Sequence, residues 1–325
     1  MDGLIENQRG NDDLLKNATV TLAGKSQKCK RIHTPLLFAI ADGEAADMLV
    51  GRYGNHNLKV KRICRRCNIQ SEQLSNPDAK FKLLRQKTIN RYIVRKDKER
   101  LKKISQHNVR NAFMDVDFGV PGVGIIDSIP SDLMHLLKQG LINYSLKIFF
   151  AVIPKKVKTG LDGMTREFRQ KCRQSVLKKY PAFNAYCGVT NVNNMTCDER
   201  MGVLFLLTVM LLNEEVWEKL EDKKFKDSYI DDDGKKQSVE YTVEGIVNVF
   251  EMFLCFRQWS ISPKSVWVTR GNEYNRKRLE IEEKMREMMK SLKENIPRVT
   301  GNKWNIQKFH ALLHLGWILC CSVPH

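Results

Sequence analysis

TCDERMGVLFLLTVMLL, residues 196–212, is the stretch whose reading decides the fold class. Val203 to Leu212 is apolar throughout except for Thr208. Thr196, followed by Glu199 three residues on, has the spacing of a capping box, in which a threonine hydroxyl and a glutamate carboxylate satisfy each other's backbone amides at a helix start. The apolar run is half the roughly 20 residues that a membrane span needs. It therefore predicts a helix closed on all sides by other helices. Working outward, Thr165–Glu221 reads as mainly helical, Ser131–Ile153 as an amphipathic helix opened by Ser131 or Asp132, and Val243–Arg257 as an apolar helix. Glu273–Glu294 reads as a surface helix with Glu280–Lys284 and Glu282–Arg286 at pairing distance. Trp304–Cys321 reads as a last apolar helix. Between them lie a Gly/Pro-rich loop at Gly119–Pro130 and a charged loop at Lys223–Gln237, tipped by Asp231-Asp-Asp-Gly234. The extended signals come early, at Thr19–Leu22 and Leu36–Ala41. Strands first and then a long helical block indicate an α+β chain that is mainly helical, or an α/β core interrupted by helices. No internal repeat is present.

Composition bounds the function. The chain has 325 residues, 42% of them hydrophobic, and a formal net charge of +18. That is enough apolar sequence for a real core, with a surplus of cations that points to a polyanionic partner, nucleic acid before others. The charge is concentrated. Lys80, Lys82, Arg85, Lys87, Arg91, Arg95, Lys96, Lys98, Arg100, Lys102 and Lys103 face only Asp97 and Glu99, so half of the net charge lies in 24 residues. Phe81, Leu83, Leu84, Ile89, Tyr92, Ile93 and Val94 interleave them. This predicts a docked helical surface over Lys80–Lys103 and not a bare tail, with Tyr92 available to stack on a base. A solvated helix face is the alternative, but so few acids leave the self-repulsion without an internal counter-charge. The nine cysteines are irregularly spaced and odd in number, and the first residues, MDGLIENQRGNDD, hold no apolar signal segment. A reducing compartment, nucleus or cytosol, is expected, with no membrane partner and no small-molecule cofactor.

Three constellations carry chemistry. Leu36–Ala41 followed by Asp42 reads as an apolar strand ending in a carboxylate, the place where sheets hold divalent metal; a plain turn residue is the alternative. Cys64-Arg-Arg-Cys67, beside the basic turn Lys59–Arg66, can grip one metal from a tight loop. His310-Ala-Leu-Leu-His314 places two imidazoles on one helix face. Together these four are a tetrahedral Cys₂His₂ donor set. The 243 residues between the halves rule out a zinc finger, leaving either a staple between distant parts of the chain or two unrelated features. Asp132 and His135, at the start of a helix after the Gly/Pro loop, are candidates for a cap and a packed histidine.

Read together, four stretches resemble the eukaryotic transposases of the CACTA/Plavaka group. PLLFAIADGEAADMLVGRYGNHNLKVKRICRRCN (Pro35–Asn68) is similar to their strand–Asp–helix–Cys-x-x-Cys block. ISQHNVRNAF (Ile104–Phe113) is similar to a His-containing segment, GIIDSIPSDLMHLLKQGLINYSLKIFF (Gly124–Phe150) to their P-x-D-x-x-H helix, and WNIQKFHALLH (Trp304–His314) to their K-x-H-x-x-x-H ending. The order and approximate spacing agree over most of Leu14–Leu315.

The resemblance implies an RNase H-like core with a large helical insertion, in which an Asp-Asp-Glu set holds two divalent metals, Mg²⁺ in the intact family, for phosphodiester transfer. In the related V(D)J recombinase fold a Cys-x-x-Cys follows the second Asp closely and a His pair precedes the Glu. Asp42 is accordingly expected to be the second carboxylate, with Asp132 as its rival. Cys64, Cys67, His310 and His314 are expected to share a structural Zn²⁺, with His107 and His135 as alternative ligands. The organisation implied is partial RNase H-like strands over 1–60, the cysteine pair and basic segment over 61–130, the helical insertion over 131–303 and the His-pair helix over 304–325. Two departures from the family pattern matter. Before Leu36 only Asp2, Asp12 and Asp13 are available, in polar sequence, and no Glu follows His314. The expectation is a transposase-like chain truncated at both ends, catalytically inactive, with Asp42 vestigial, that keeps DNA binding through Lys80, Lys82, Arg85, Lys87, Arg91, Arg95, Lys96 and Lys98. The alternative is a domesticated, non-enzymatic nucleic-acid or chromatin-binding protein.

Overall fold

The computed structural model describes residues 19–22, 25–28, 41–53, 60–110, 112–116, 124–129, 132–173, 188–189, 191–213, 224–230, 234–260, 272–298 and 303–316. Helices dominate them, and the chain divides into two units, Met1–Ser71 with Lys80–Asp132, and Glu72–Ala79 with Leu133–His325.

The first unit opens on a hairpin. β1 (Thr19–Leu22) runs antiparallel to β2 (Lys25–Lys28), with Thr19 opposite Lys28. The strand at Thr19–Leu22 is where the sequence places it. The strand expected at Leu36–Ala41 falls, as far as Ile40, outside the described residues. Asp42 caps α1 (Gly43–Leu49): its Oδ1 accepts the Ala45 amide at 2.8 Å, the ordinary role of an aspartate at a helix start. Two further helices, α2 (Gln86–Val94) and α3 (Lys98–Lys103), join the short α4 (Ile125–Ser128) around Ala46, Val50, Leu84, Ile89, Leu101, Phe113, Ile125, Ile126 and Ile129.

The basic segment is thus not one helix. Residues 80–85 are extended, because Leu83 bridges to Cys67 and the Leu84 amide donates to the Arg66 carbonyl at 2.8 Å. α2 stops in a left-handed turn at Lys96, and Asp97 then caps α3 by accepting the Arg100 amide at 3.1 Å. Burial of Ile89, Leu101 and Ile104 against one cluster requires the chain to fold back, which a continuous helix could not do.

The second unit is built on the helix that the sequence singles out. α7 (Cys197–Leu211) buries nine of its residues, Met201 to Leu204, Leu206 to Thr208, Met210 and Leu211. Each fully buried leucine contributes about 1.5–3 kcal/mol relative to exposure. The capping box is formed: the Glu199 amide donates to Thr196 Oγ1 at 3.3 Å, and the Thr196 amide to Glu199 Oε2 at 2.7 Å. The one polar group in the apolar run, the Thr208 hydroxyl, donates back to the Leu204 carbonyl at 2.9 Å and so is buried without an orphaned donor. Around α7 pack a π-helical segment (Met134–Leu141), α5 (Ile142–Val152), α6 (Lys155–Arg173) and α8 (Val243–Ser260). Phe149 meets Phe250 edge-on at 5.6 Å. α9 (Asn272–Asn295) lies along α8, and closely: a Cβ on Gly245 would stand 2.3 Å from Asn295 Oδ1.

Several local expectations are corrected. The helix read over Ser131–Ile153 starts with Leu133 at the cap position and no side-chain cap bond there, and its first turns are π-helical; Ser131 lies outside the described residues. The charged loop read over Lys223–Gln237 is a hairpin, β3 (Lys224–Ile230) against β4 (Lys236–Thr242), with seven paired residues. On α9, Glu280 pairs with Lys284 at 3.2 Å as expected, whereas Glu282 pairs with Arg278 at 2.6 Å and Arg286 with Glu283 at 3.5 Å. Of the last helix, read over Trp304–Cys321, the described part begins later: α10 (Gln307–His310) tightens to 3₁₀ geometry over Ala311–His314, and residues 317–321 lie outside the described residues. Among the described residues the strands form two separate antiparallel hairpins, so the mainly helical α+β class holds while the RNase H-like sheet stays an expectation.

Thr196→Ala removes one half of the capping box at the start of α7. It is expected to destabilise the protein by about 1 kcal/mol in denaturant titration, and Thr196→Ser by much less. Equal losses in both variants would show that the cap does not set the stability of this helix.

Candidate functional site

The cysteine pair sits in a loop closed at its base. The Ser71 amide donates to the Lys61 carbonyl at 2.9 Å and the Ser71 hydroxyl to Val60 O at 3.0 Å. Arg62 Nη1 reaches across to Asn68 O at 2.6 Å, and Asn68 exchanges bonds with Lys82, amide to carbonyl at 3.0 Å and amide to Oδ1 at 2.8 Å. This holds Cys64 and Cys67 pointing inward, 4% and 0% exposed. Backbone amides address both sulfurs: Arg66 N–H donates to Cys64 Sγ at 3.4 Å, and Ile69 N–H bonds the sulfur of Cys67. Burial pushes the Cys67 thiol far above its ordinary range, the bond with Cys64 adds to that, and the Ile69 amide and Arg52 oppose it. Without a cation burial favours the protonated Cys67 thiol; a divalent metal is a partner that would offset the burial of two thiolates.

Two charged residues near the loop were not singled out from sequence. Arg52 is buried, with Nη2 on the Arg62 carbonyl at 2.6 Å; burial lowers its pKa, and Cys64, Asp47 and Cys67 work against that loss. Asp47 is buried on α1 and pairs with Arg65 at 3.5 Å. A weak signal was available, since Asp47 lies three residues before the apolar Val50, a spacing that shares a helix face.

The histidine pair is held by aromatic packing. The Trp304 indole donates to the Ile296 carbonyl at 3.0 Å and stacks on Phe309 with centroids 5.0 Å apart. Tyr144 meets Trp304 edge-on, and Arg298 lies over the Tyr144 ring at 4.4 Å. Asn305 Oδ1 accepts the Ser75 amide at 3.1 Å. These contacts fix the entry to α10, and the i,i+4 spacing then sets His310 and His314 side by side. Both are buried, and their Nε2 atoms stand 3.1 Å apart. Two nitrogens on one tetrahedral zinc, each at 2.0–2.1 Å, would be separated by about 3.3 Å.

The ligand atoms of Cys64, Cys67, His310 and His314 all lie within 4.8 Å of one another, a group that could hold a metal ion. Two sulfurs and two imidazole nitrogens, all buried, fit a soft-to-borderline divalent ion in tetrahedral geometry. The alternative ligands are elsewhere: His107 is exposed and packs edge-on against Tyr53 at 4.5 Å, and His135 is half-buried in the π-helical segment. Of the two carboxylates, Asp42 is exposed at the α1 cap and Asp132 is half-buried before the π-helical segment. Among the described residues the Cys₂His₂ set is the one such group, and neither aspartate belongs to it.

The basic surface is laid out differently from a continuous helical stripe. Lys80, Lys82, Arg85, Lys87, Arg91, Arg95, Lys96, Lys98, Arg100, Lys102 and Lys103 are all exposed. Asp97 pairs with Arg100 at 3.3 Å. Tyr92 is half-buried against the apolar cluster, and Arg100 covers its ring at 5.5 Å, so it is not presented for stacking on a base. Compared with protein-family models, with curated proteins and with solved structures, the chain matches none.

In the metal-free protein, alkylation at mildly alkaline pH is expected to label exposed Cys255 first and to leave Cys64 and Cys67 unmodified until the chain unfolds. Peptide mass spectrometry along a time course reads this; equal rates at Cys64 and Cys255 would contradict the burial described.

Proposed function

We propose that this protein is a non-catalytic, transposase-like DNA-binding protein with a structural zinc ion. The observation that carries DNA binding is the exposure of all eleven cations of Lys80–Lys103, along an extended stretch, two short helices and the turn between them, over an apolar cluster that buries Leu84, Ile89 and Leu101. Such a surface offers fixed charges at little ordering cost, and its natural ligand is a phosphate backbone. With Tyr92 covered, the reading favours sequence-independent contact with duplex phosphate. The transposase likeness rests on the four stretches quoted above. Asp42 serves as a helix cap, which supports a chain that binds without cutting.

Zinc is the ion best suited to the four donors. With four protein ligands no coordination position is left for water, so its role is structural and its binding energy is folding energy. One zinc per chain is expected by elemental analysis. Cys64→Ser or His314→Ala should lose it and lower the melting temperature, and Cys255→Ser should do neither. Full metal content in Cys64→Ser would remove the site.

For DNA, binding of a 30-base-pair duplex should weaken with salt with a log–log slope of magnitude about 5 to 8, as six to nine phosphate contacts require. The triple variant Arg91→Glu, Arg95→Glu, Lys98→Glu should abolish binding. Affinity independent of salt would exclude this surface. The protein with Mg²⁺ or Mn²⁺ is expected neither to nick nor to join DNA; cleavage lost in Asp42→Asn would replace this reading with an active nuclease.

A further inference from the structure

Three non-glycine residues among those described adopt left-handed backbone: Lys96 at φ 54°, Ser105 at φ 55° and Lys303 at φ 51°. Two of them end the two basic helices in the same way. The Asp97 amide reaches back to Tyr92 O at 2.9 Å and the Lys96 amide to Ile93 O at 3.0 Å; the Gln106 amide reaches Leu101 O at 2.9 Å and the Ser105 amide Lys102 O at 3.0 Å. In this helix ending the left-handed position is where glycine is strongly favoured, because a Cβ there crowds the backbone. Ser105 has a packing reason to differ: it is buried, and its carbonyl accepts the Tyr53 amide at 3.0 Å. Lys96 has none. It is exposed, and among the described residues its side chain makes no hydrogen bond or ion pair. The adjacent acid, Asp97, is taken twice by Arg100, through the backbone amide at 3.1 Å and through Nε at 3.3 Å. A long cation therefore occupies a position that costs helix-end stability, and among the described residues nothing makes a hydrogen bond or ion pair with it. Departures from local preference of this kind collect where a ligand is met.

We propose that Lys96, at the corner between α2 and α3 and flanked by exposed Arg95 and Lys98, is an anchoring phosphate contact of the basic surface. The inference rests on the DNA-binding reading above and adds to it a specific residue retained for its charge against its conformation. The left-handed turn sets the exposed lysine between the end of α2 and the start of α3. With Asp97 held by Arg100, Glu99 is the one other acid among the eleven cations of the segment.

The test uses the full chain and a 30-base-pair duplex, with binding followed by fluorescence anisotropy over a salt series and melting followed without DNA. Lys96→Gly is expected to melt about 2 °C higher, because glycine relieves the left-handed strain. It should bind about fivefold more weakly near physiological salt, with a salt slope smaller by about 1, as loss of one phosphate contact requires. Lys96→Arg should keep wild-type affinity. Lys303→Gly, which removes the same charge from the same backbone conformation outside the basic segment, should melt higher with unchanged affinity. If Lys96→Gly binds as tightly as wild type, or if it melts lower, the inference falls and DNA binding by the surface stands. If the wild-type protein does not bind duplex at all, the DNA-binding reading falls and takes this inference with it.

Discussion

A helix that is apolar all round can exist only if other chain encloses it, and α7 imposes that constraint on the larger unit. Nine of its residues are buried and Phe205 is half-buried, leaving Val209 as the exposed apolar side chain of the helix. Every neighbour is placed by the need to cover it: the π-helical segment, α5, α6 and α8 each bring an apolar side. The capping box gives the helix a defined first turn, and the back-bonded Thr208 hydroxyl removes the one polar cost inside the run. The aromatic layer of Phe149 and Phe250 belongs to the same enclosure.

The candidate metal centre follows a second constraint, that buried polar groups need partners. Cys64 and Cys67 are turned inward by a loop tied at both ends, with backbone amides on their sulfurs. His310 and His314 are turned inward by a short helix wedged beside Trp304 and Phe309, with nitrogens spaced nearly as on a common ion. Thiols and imidazoles in such positions are poor hydrophobic residues and good ligands, and one divalent cation could be held by all four. The basic surface follows the opposite rule. Its cations are outside because they cannot be paired inside, and its apolar residues are the floor on which they stand.

Much of this was legible in the residues. α7 with its cap, the helices α8 and α9, the strand at Thr19–Leu22 and the local geometry of each ligand pair follow from patterns spanning a few residues. The β3–β4 hairpin was hidden by its own composition. Lys224, Lys226 and Ser228 alternate with Phe225, Asp227 and Tyr229 around an Asp-rich tip, a period of two that the charges obscured. The Glu282–Arg286 pairing failed because Arg278, one turn earlier on the same face, is equally spaced and only partly exposed.

The sequence by itself determined the secondary-structure class, the charge density of Lys80–Lys103 and the local geometry of the Cys64/Cys67 and His310/His314 pairs, because each depends on side-chain chemistry at short spacing. Tertiary structure alone decided that the basic segment breaks at Lys96, since the competing pull of Leu83 and Leu84 toward the cysteine loop and of Leu101 toward the apolar cluster comes from residues distant in the chain. It also decided which histidines accompany the cysteines. Four of the candidates are local i,i+4 or i,i+3 partners, but donor atoms 243 residues apart come within ligand reach only through packing, and no local rule encodes a contact between segments that never meet in sequence.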